Sequence, residues 1–172
     1  MKTALMTFLA LVLTIAPAIA KQGFYIGPEI VLNDIGGQVN SENTIASGSG
    51  LGLKGGFGFN RNVAVETSFW MTGHDVAGGQ MVDFKGLTID MKVNFPIENS
   101  NIEPYLLAGI GQYRLESNRG NGGNFGAGID VYLFPWLNFN VGLTKRIIDF
   151  GTTPKVSGEV TSLDFGFVYH FL

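Results

Sequence analysis

Leu163-Asp164-Phe165-Gly166-Phe167-Val168-Tyr169-His170-Phe171 alternates strictly: Leu163, Phe165, Phe167, Tyr169 and Phe171 fall on one face, and Asp164, Gly166, Val168 and His170 on the other. Successive strand side chains point to opposite faces, so this stretch predicts a β-strand with one bulky apolar wall and one small or polar wall. The fold question becomes what each wall meets.

The same alternation recurs upstream in short bursts separated by Gly, Asn, Ser and Pro, and no part of the chain after residue 20 sustains a 3.6-residue period. Eight strands are predicted, near 22–32, 49–59, 63–72, 83–95, 103–115, 124–133, 137–147 and 160–171. Their connections alternate in character. Those at 60–62, 96–102 and 134–136 are mostly tight, whereas 33–48, 73–82, 116–123 and 148–159 are longer and polar, with Gly120-Asn121-Gly122-Gly123 read as a loop tip. An even strand count with short turns at one end and longer loops at the other predicts an all-β, antiparallel up-and-down barrel.

Alternation alone leaves the inner face open, since a soluble lipocalin-like binding barrel has the same period. The glycines decide. In the second strand Leu51, Leu53, Phe57 and Phe59 oppose Gly50, Gly52, Lys54, Gly56 and Gly58; in the seventh, Leu137, Phe139, Val141 and Leu143 oppose Asn138, Asn140, Gly142, Thr144 and Arg146. Glycine is a poor strand former that a solvated wall has no reason to collect. A narrow eight-stranded interior does need small residues beside each large one. The bulky apolar wall therefore faces outward, into lipid. Strands of about 9–11 residues suffice to cross the apolar band, and the outward sets carry almost no charge through their middles. Lys145 is the exception, placed near the loop end where its ammonium can reach the headgroup layer.

Residues 1–20 hold Lys2, an apolar run from Ala4 to Ile15, Pro17 and the small-x-small end Ala18-Ile19-Ala20, the pattern of a cleaved signal peptide rather than of a membrane-spanning helix. The barrel domain is expected over 21–172. The chain has no cysteine, so stability must come from sheet closure and packing, and all 25 glycines follow the signal segment. A net charge of −3 without a Lys/Arg cluster argues against nucleic acid as a partner.

The inward parity places Glu29, Lys54, Glu66, Asp90, Lys92, Asp130, Arg146, Asp164 and His170 in the lumen. Lys54 and Glu66 are predicted to be diagonal neighbours, and Asp130 to lie beside Asn140. Mixed signs at these positions point to an internal ion-pair network; a narrow gated pore for ions or small solutes is the alternative. Catalysis is not predicted. His74, with Asp75, is expected in a solvated loop near Ser68 and Thr72, while His170 lies at the other end, and neither spacing matches a nucleophile–base arrangement. No metal or cofactor site is signalled.

Gly23-Phe24-Tyr25-Ile26-Gly27, Pro104-Tyr105-Leu106-Leu107-Ala108-Gly109-Ile110-Gly111, the hairpin from Gly126 to Gly142 and the terminal Tyr169-His170-Phe171 resemble the small eight-stranded outer-membrane barrels, similar to the OmpA transmembrane domain and its porin-family relatives. The resemblance spans 21–172 and implies a monomeric outer-membrane protein of a Gram-negative-type bacterium, with both termini periplasmic. It further implies a structural, surface-interacting or permeability role without enzymatic activity. Implied partners are outer-membrane lipid, lipopolysaccharide near the outer rim, periplasmic chaperones and the barrel-assembly machinery, which would read Phe165, Phe167, Tyr169 and Phe171. Two departures stand out: Leu172 follows the terminal aromatic, and Pro28 interrupts the first strand, where a bulge or local register break is expected.

Overall fold

The structure, a computed structural model, describes residues 23–36, 46–76, 80–150 and 156–171. The expected signal peptide and Leu172 lie outside them. The strands β1 (Gly23–Gly36), β2 (Gly48–Gly58), β3 (Val63–Val76), β4 (Gln80–Asn94), β5 (Ile102–Leu115), β6 (Asn118–Phe134), β7 (Leu137–Phe150) and β8 (Val156–His170) follow one another around a closed antiparallel barrel. Closure comes from β1 pairing with β8, from Tyr25 opposite His170 to Gly36 opposite Glu159. Every strand pairs with a neighbour on both sides, as a lipid environment demands.

Side-chain parity settles inside and outside. Leu51, Ile89, Ile110, Leu143 and Phe167 are each more than half exposed on the outer wall, while Glu29, Lys54, Glu66, Asp90, Lys92, Asp130, Arg146 and Asp164 are buried within. A soluble barrel would show the reverse, so the lipocalin-like alternative is set aside. At the short-turn end the outer wall carries an aromatic girdle: Phe134 stacks on Trp136 at 5.0 Å, Trp136 lies 5.7 Å from Tyr169, and Tyr169 lies 5.1 Å from Phe171. Amphipathic rings of this kind settle at the headgroup level of a membrane.

Glycines on the inner face make room for the large side chains. A Cβ on Gly86 would enter the Trp70 ring, and one on Gly128 or Gly142 would meet the Tyr105 hydroxyl. Gly27 serves a different contact: there the β8 backbone comes so close that a Cβ would strike the Phe167 carbonyl.

Three local expectations are corrected. Pro28 causes no bulge. It pairs with Leu53 in unbroken register, and Ile26↔Tyr169 and Glu29↔Gly166 keep one register on the other side, so the missing N–H costs a rung toward β8 and nothing more. The register shift in this sheet falls instead between Tyr132 and Phe134.

The strands also run further toward the loop end than predicted, because beyond the lipid a ladder needs its backbone bonds but no apolar outer face. The stretch read as the loop 116–123 is largely strand: Leu115 pairs with Asn118 across a two-residue turn, and Gly120 to Gly123 pair on both sides, with Tyr113 to Ile110 and with Phe150 to Ile147. Glu116 in that turn takes a φ of 53°, a left-handed conformation uncommon outside glycine, and its carbonyl accepts from Arg114 Nε at 2.7 Å. His74, expected in a loop, lies in β3 and is fully buried.

The turn at 60–62 is as tight as predicted: the Asn60 side chain accepts from the backbone N–H groups of Asn62 and Val63, both at 2.8 Å.

Candidate functional site: the barrel lumen

Alternation sends one residue in two of every strand into the lumen, and the register decides which of them meet. In its middle, Lys54 Nζ lies 3.0 Å from Glu29 Oε2 and 3.9 Å from Glu66 Oε1, and donates to Asn140 Oδ1 at 2.9 Å. Lys92 Nζ bonds Asp130 Oδ2 at 2.7 Å, lies 4.0 Å from Glu66 Oε2, and sits 4.0 Å above the Tyr105 ring. Asn140 faces Asp130 across the β6–β7 ladder and donates to it at 2.7 Å and to the Tyr105 hydroxyl at 3.1 Å. Tyr25 closes the set from below by donating to Glu66 at 3.1 Å. Two ammonium groups are thus caged by carboxylates, amides and an aromatic face, the partners that burying a charge requires.

The other predicted lumen residues gather alongside. Asp90 accepts from Thr88 Oγ1 at 2.8 Å and from Asn124 Nδ2. Asp164 accepts from Thr144 at 3.3 Å. Half-buried His170 reaches Asn138 at 3.1 Å near the turn end, with Tyr25 and Tyr132 beside its ring.

Nearer the loop end the lumen changes character. Val31, Trp70, Phe84, Tyr113, Ile148 and Val160 form a buried apolar layer across the barrel, with Trp70 at 5.0 Å from Phe84 and 6.3 Å from Tyr113. Sequence reasoning missed this layer because it assigned bulky apolar residues to the outside. The parity held the signal: Trp70 shares its face with Glu66 and Phe84 shares its face with Asp90.

Beside the apolar layer runs a hydrogen-bond chain. Arg146 Nη1 donates to Ser162 Oγ and Ser162 to Asn33 Oδ1; Asn33 Nδ2 donates to Thr72 Oγ1 at 3.0 Å. Thr72 Oγ1 lies 2.9 Å from His74 Nε2, and His74 Nδ1 lies 3.0 Å from the Ala46 carbonyl. A carbonyl only accepts, so the ring donates there from Nδ1, while Nε2 faces the Thr72 hydroxyl, which also lies 3.3 Å from the Phe84 carbonyl. The chain links β7, β8, β1 and β3 to Ala46, two residues before β2.

Threonine and histidine within hydrogen-bond reach invite a catalytic reading, but both are buried, and the hydroxyl is already engaged on three sides. The interior cavities beside the cage are small. The cavity lined by Lys54, Asp90, Arg146 and Asp164 has a volume of ≈ 20 Å³, and that lined by Tyr25, Lys92 and His170 also ≈ 20 Å³, each enough for about one water. Among the described residues, no His, Asp and Glu side chains converge in a metal-holding group.

The chain matches the family described as outer membrane protein beta-barrel domain over residues 6–171. Its fold is similar to that of Neisserial surface protein A, with a TM-score of 0.65 at 17% identity, covering 87% of this chain and 97% of that one. It is also similar to the outer membrane protein OprG of Pseudomonas aeruginosa, with a TM-score of 0.56, 18% identity, and 88% and 97% covered. Ail, the attachment invasion locus protein of Yersinia pestis, gives 0.56 at 20% identity, with 87% and 99% covered. No curated protein sequence matches significantly. At these identities the likenesses bear on fold alone.

Proposed function

The chain belongs to the outer membrane protein β-barrel domain family, and from that premise we propose that it is a non-enzymatic barrel with a sealed lumen, acting as an envelope component and as a scaffold for the surface at its loop end. The observation that carries this reading is the two-layer plug. The charged cage around Lys54 and Lys92 and the apolar layer around Trp70 lie in series along the axis, and the interior cavities flanking the cage hold about one water each.

Short turns and the aromatic girdle at one end, and the strand overhangs at the other, support placing both termini in the periplasm. The outward-facing Phe167, Tyr169 and Phe171 supply the aromatic row that assembly machinery would read. Phe171 N–H also bonds the Phe24 carbonyl at 2.9 Å, tying the last strand to the first. Thr72 and His74 are both buried and hydrogen-bonded to one another and to their neighbours, which favours the non-enzymatic reading.

Planar-bilayer recording of the refolded protein tests the proposal. Current at the detection floor is expected, and steady unit steps would overturn the sealed lumen in favour of a pore. Mass spectra of lipid A from cells with and without the protein should coincide; a new species lost in Thr72→Val would overturn the non-enzymatic assignment.

A further inference from the structure

On the outer wall near the loop end, the register sets three cations side by side: Lys85 pairs with Arg114, and Arg114 with Arg119. Like charges directly opposite across a ladder repel, so this arrangement is costly unless an anion lies over it. The three line a groove of ≈ 780 Å³ together with Phe69, Leu87, Gln112 and Asn121, a volume within the range of small-molecule sites.

Nearby carboxylates meet it at its margins. Asp149 alone lines the groove; Asp83 meets Lys85 at 3.5 Å from the rim side and is itself well exposed, and the contact from Arg114 Nε to Glu116 uses the backbone carbonyl.

The wall is graded along the barrel. Below the cation row the ladder sets Phe69, Leu87, Gln112 and Asn121 side by side, and the next outward pair is Ile89 and Ile110, both strongly exposed. Cation, amide and hydrocarbon thus follow one another from the rim into the apolar band. That order matches an amphiphile whose anionic group sits at the rim, whose polar linkage meets amides and whose chains lie against isoleucine. Arg and Lys together satisfy phosphate, Arg through paired N–H groups and Lys as a point charge.

We propose that Lys85, Arg114 and Arg119 form a binding groove for the phosphate of a lipid headgroup, with the acyl chains lying on Ile89 and Ile110. The site rests on the outer-membrane placement of the chain and is independent of whether the lumen conducts.

The test uses the full barrel folded in mixed detergent–phosphatidylcholine micelles, with diphosphoryl lipid A as the probe and retention read by native mass spectrometry. K85Q/R114Q/R119Q is expected to retain lipid A about tenfold less than the unaltered barrel, and monophosphoryl lipid A to be held less well by the unaltered barrel. R61Q/K145Q, which removes cations elsewhere, should retain it fully. Equal retention by the triple variant overturns the site, and so does an equal loss in R61Q/K145Q, which would mean general charge attraction. Inorganic pyrophosphate displacing lipid A at matched concentration would overturn the lipid assignment. Folding is checked by the mobility shift between unboiled and boiled samples; should the triple variant fail it, R119Q, at the exposed start of β6, replaces it with the same expected direction. A conducting barrel would overturn the sealed lumen and leave these results unchanged.

Discussion

Arg146 and Trp70 meet inside the barrel with the guanidinium carbon 4.9 Å from the indole ring centroid. This contact ties the apolar layer to the polar chain beside it, since Arg146 donates to Ser162 while Trp70 anchors the apolar layer. A cation over an indole face is attracted by the ring quadrupole, more strongly where water is excluded.

Two seals in series predict a conductance pattern. Neither Trp70→Ala nor Lys54→Ala alone should pass current in planar bilayers, whereas the double variant should show small, cation-preferring steps. The preference follows from the buried charges: Glu29, Glu66, Asp90, Glu103, Asp130 and Asp164 outnumber Lys54, Lys92 and Arg146. Anion preference in the double variant would show that the acids do not set the field of the lumen.

Removing Lys54 leaves Glu29 and Glu66 without their shared ammonium. Lys54→Met should cost about 3–5 kcal/mol, the usual penalty for stranding a buried charge, and adding Glu29→Gln should recover part of it. Reversible urea unfolding in lipid vesicles measures both; a single variant within about 1 kcal/mol of the parent would mean that water already reaches the cage.

Gly86→Val places branched carbon where the Trp70 ring lies. Overpacking of this kind costs about 1–3 kcal/mol, and the same unfolding assay should show it, with Trp70→Phe partly relieving the strain.

On the lipid side, Leu53→Arg at the centre of β2 should destabilise by about 2–4 kcal/mol, and Phe59→Arg beyond its turn end by about 0–1 kcal/mol. Equal penalties would place the apolar band elsewhere along the strand.

Tyr169→Ser with Phe171→Ser should lower the amount of barrel assembled in cells while the purified variant still refolds in detergent. Equal losses in both settings would assign these rings to packing rather than to recognition.

Architecture was legible because period-2 alternation is long-lived: eight bursts with small residues opposite large ones specify strand count, faces and lumen residues, and the diagonal approach of Lys54 to Glu66 follows from one tight turn. What eluded sequence reading was governed by neighbours rather than by the strand itself. Gly120 to Gly123 reads as a loop, yet it is held as strand by Ile147 and Ile148 on one side and Tyr113 on the other. Trp70 and Phe84 are apolar in chemistry but interior by parity, and parity wins because the ladder allows no half-step. The cation row was invisible because Lys85, Arg114 and Arg119 stand far apart in the chain or straddle a turn, and only the register shows that they abut.

The pairing of β1 with β8 sets the order in which this molecule can come into being. Gly36 finds its partner in Glu159, so the first strand emerges long before the residue that completes it exists. Until then every partial sheet offers two open edges in water, and its greasy wall has nothing to rest on. Such a chain gains little by folding as it is made, and contacts of this sequence separation form slowly. The ring is all or nothing: its safest history is to be carried unfolded to a membrane and closed there in a single late act.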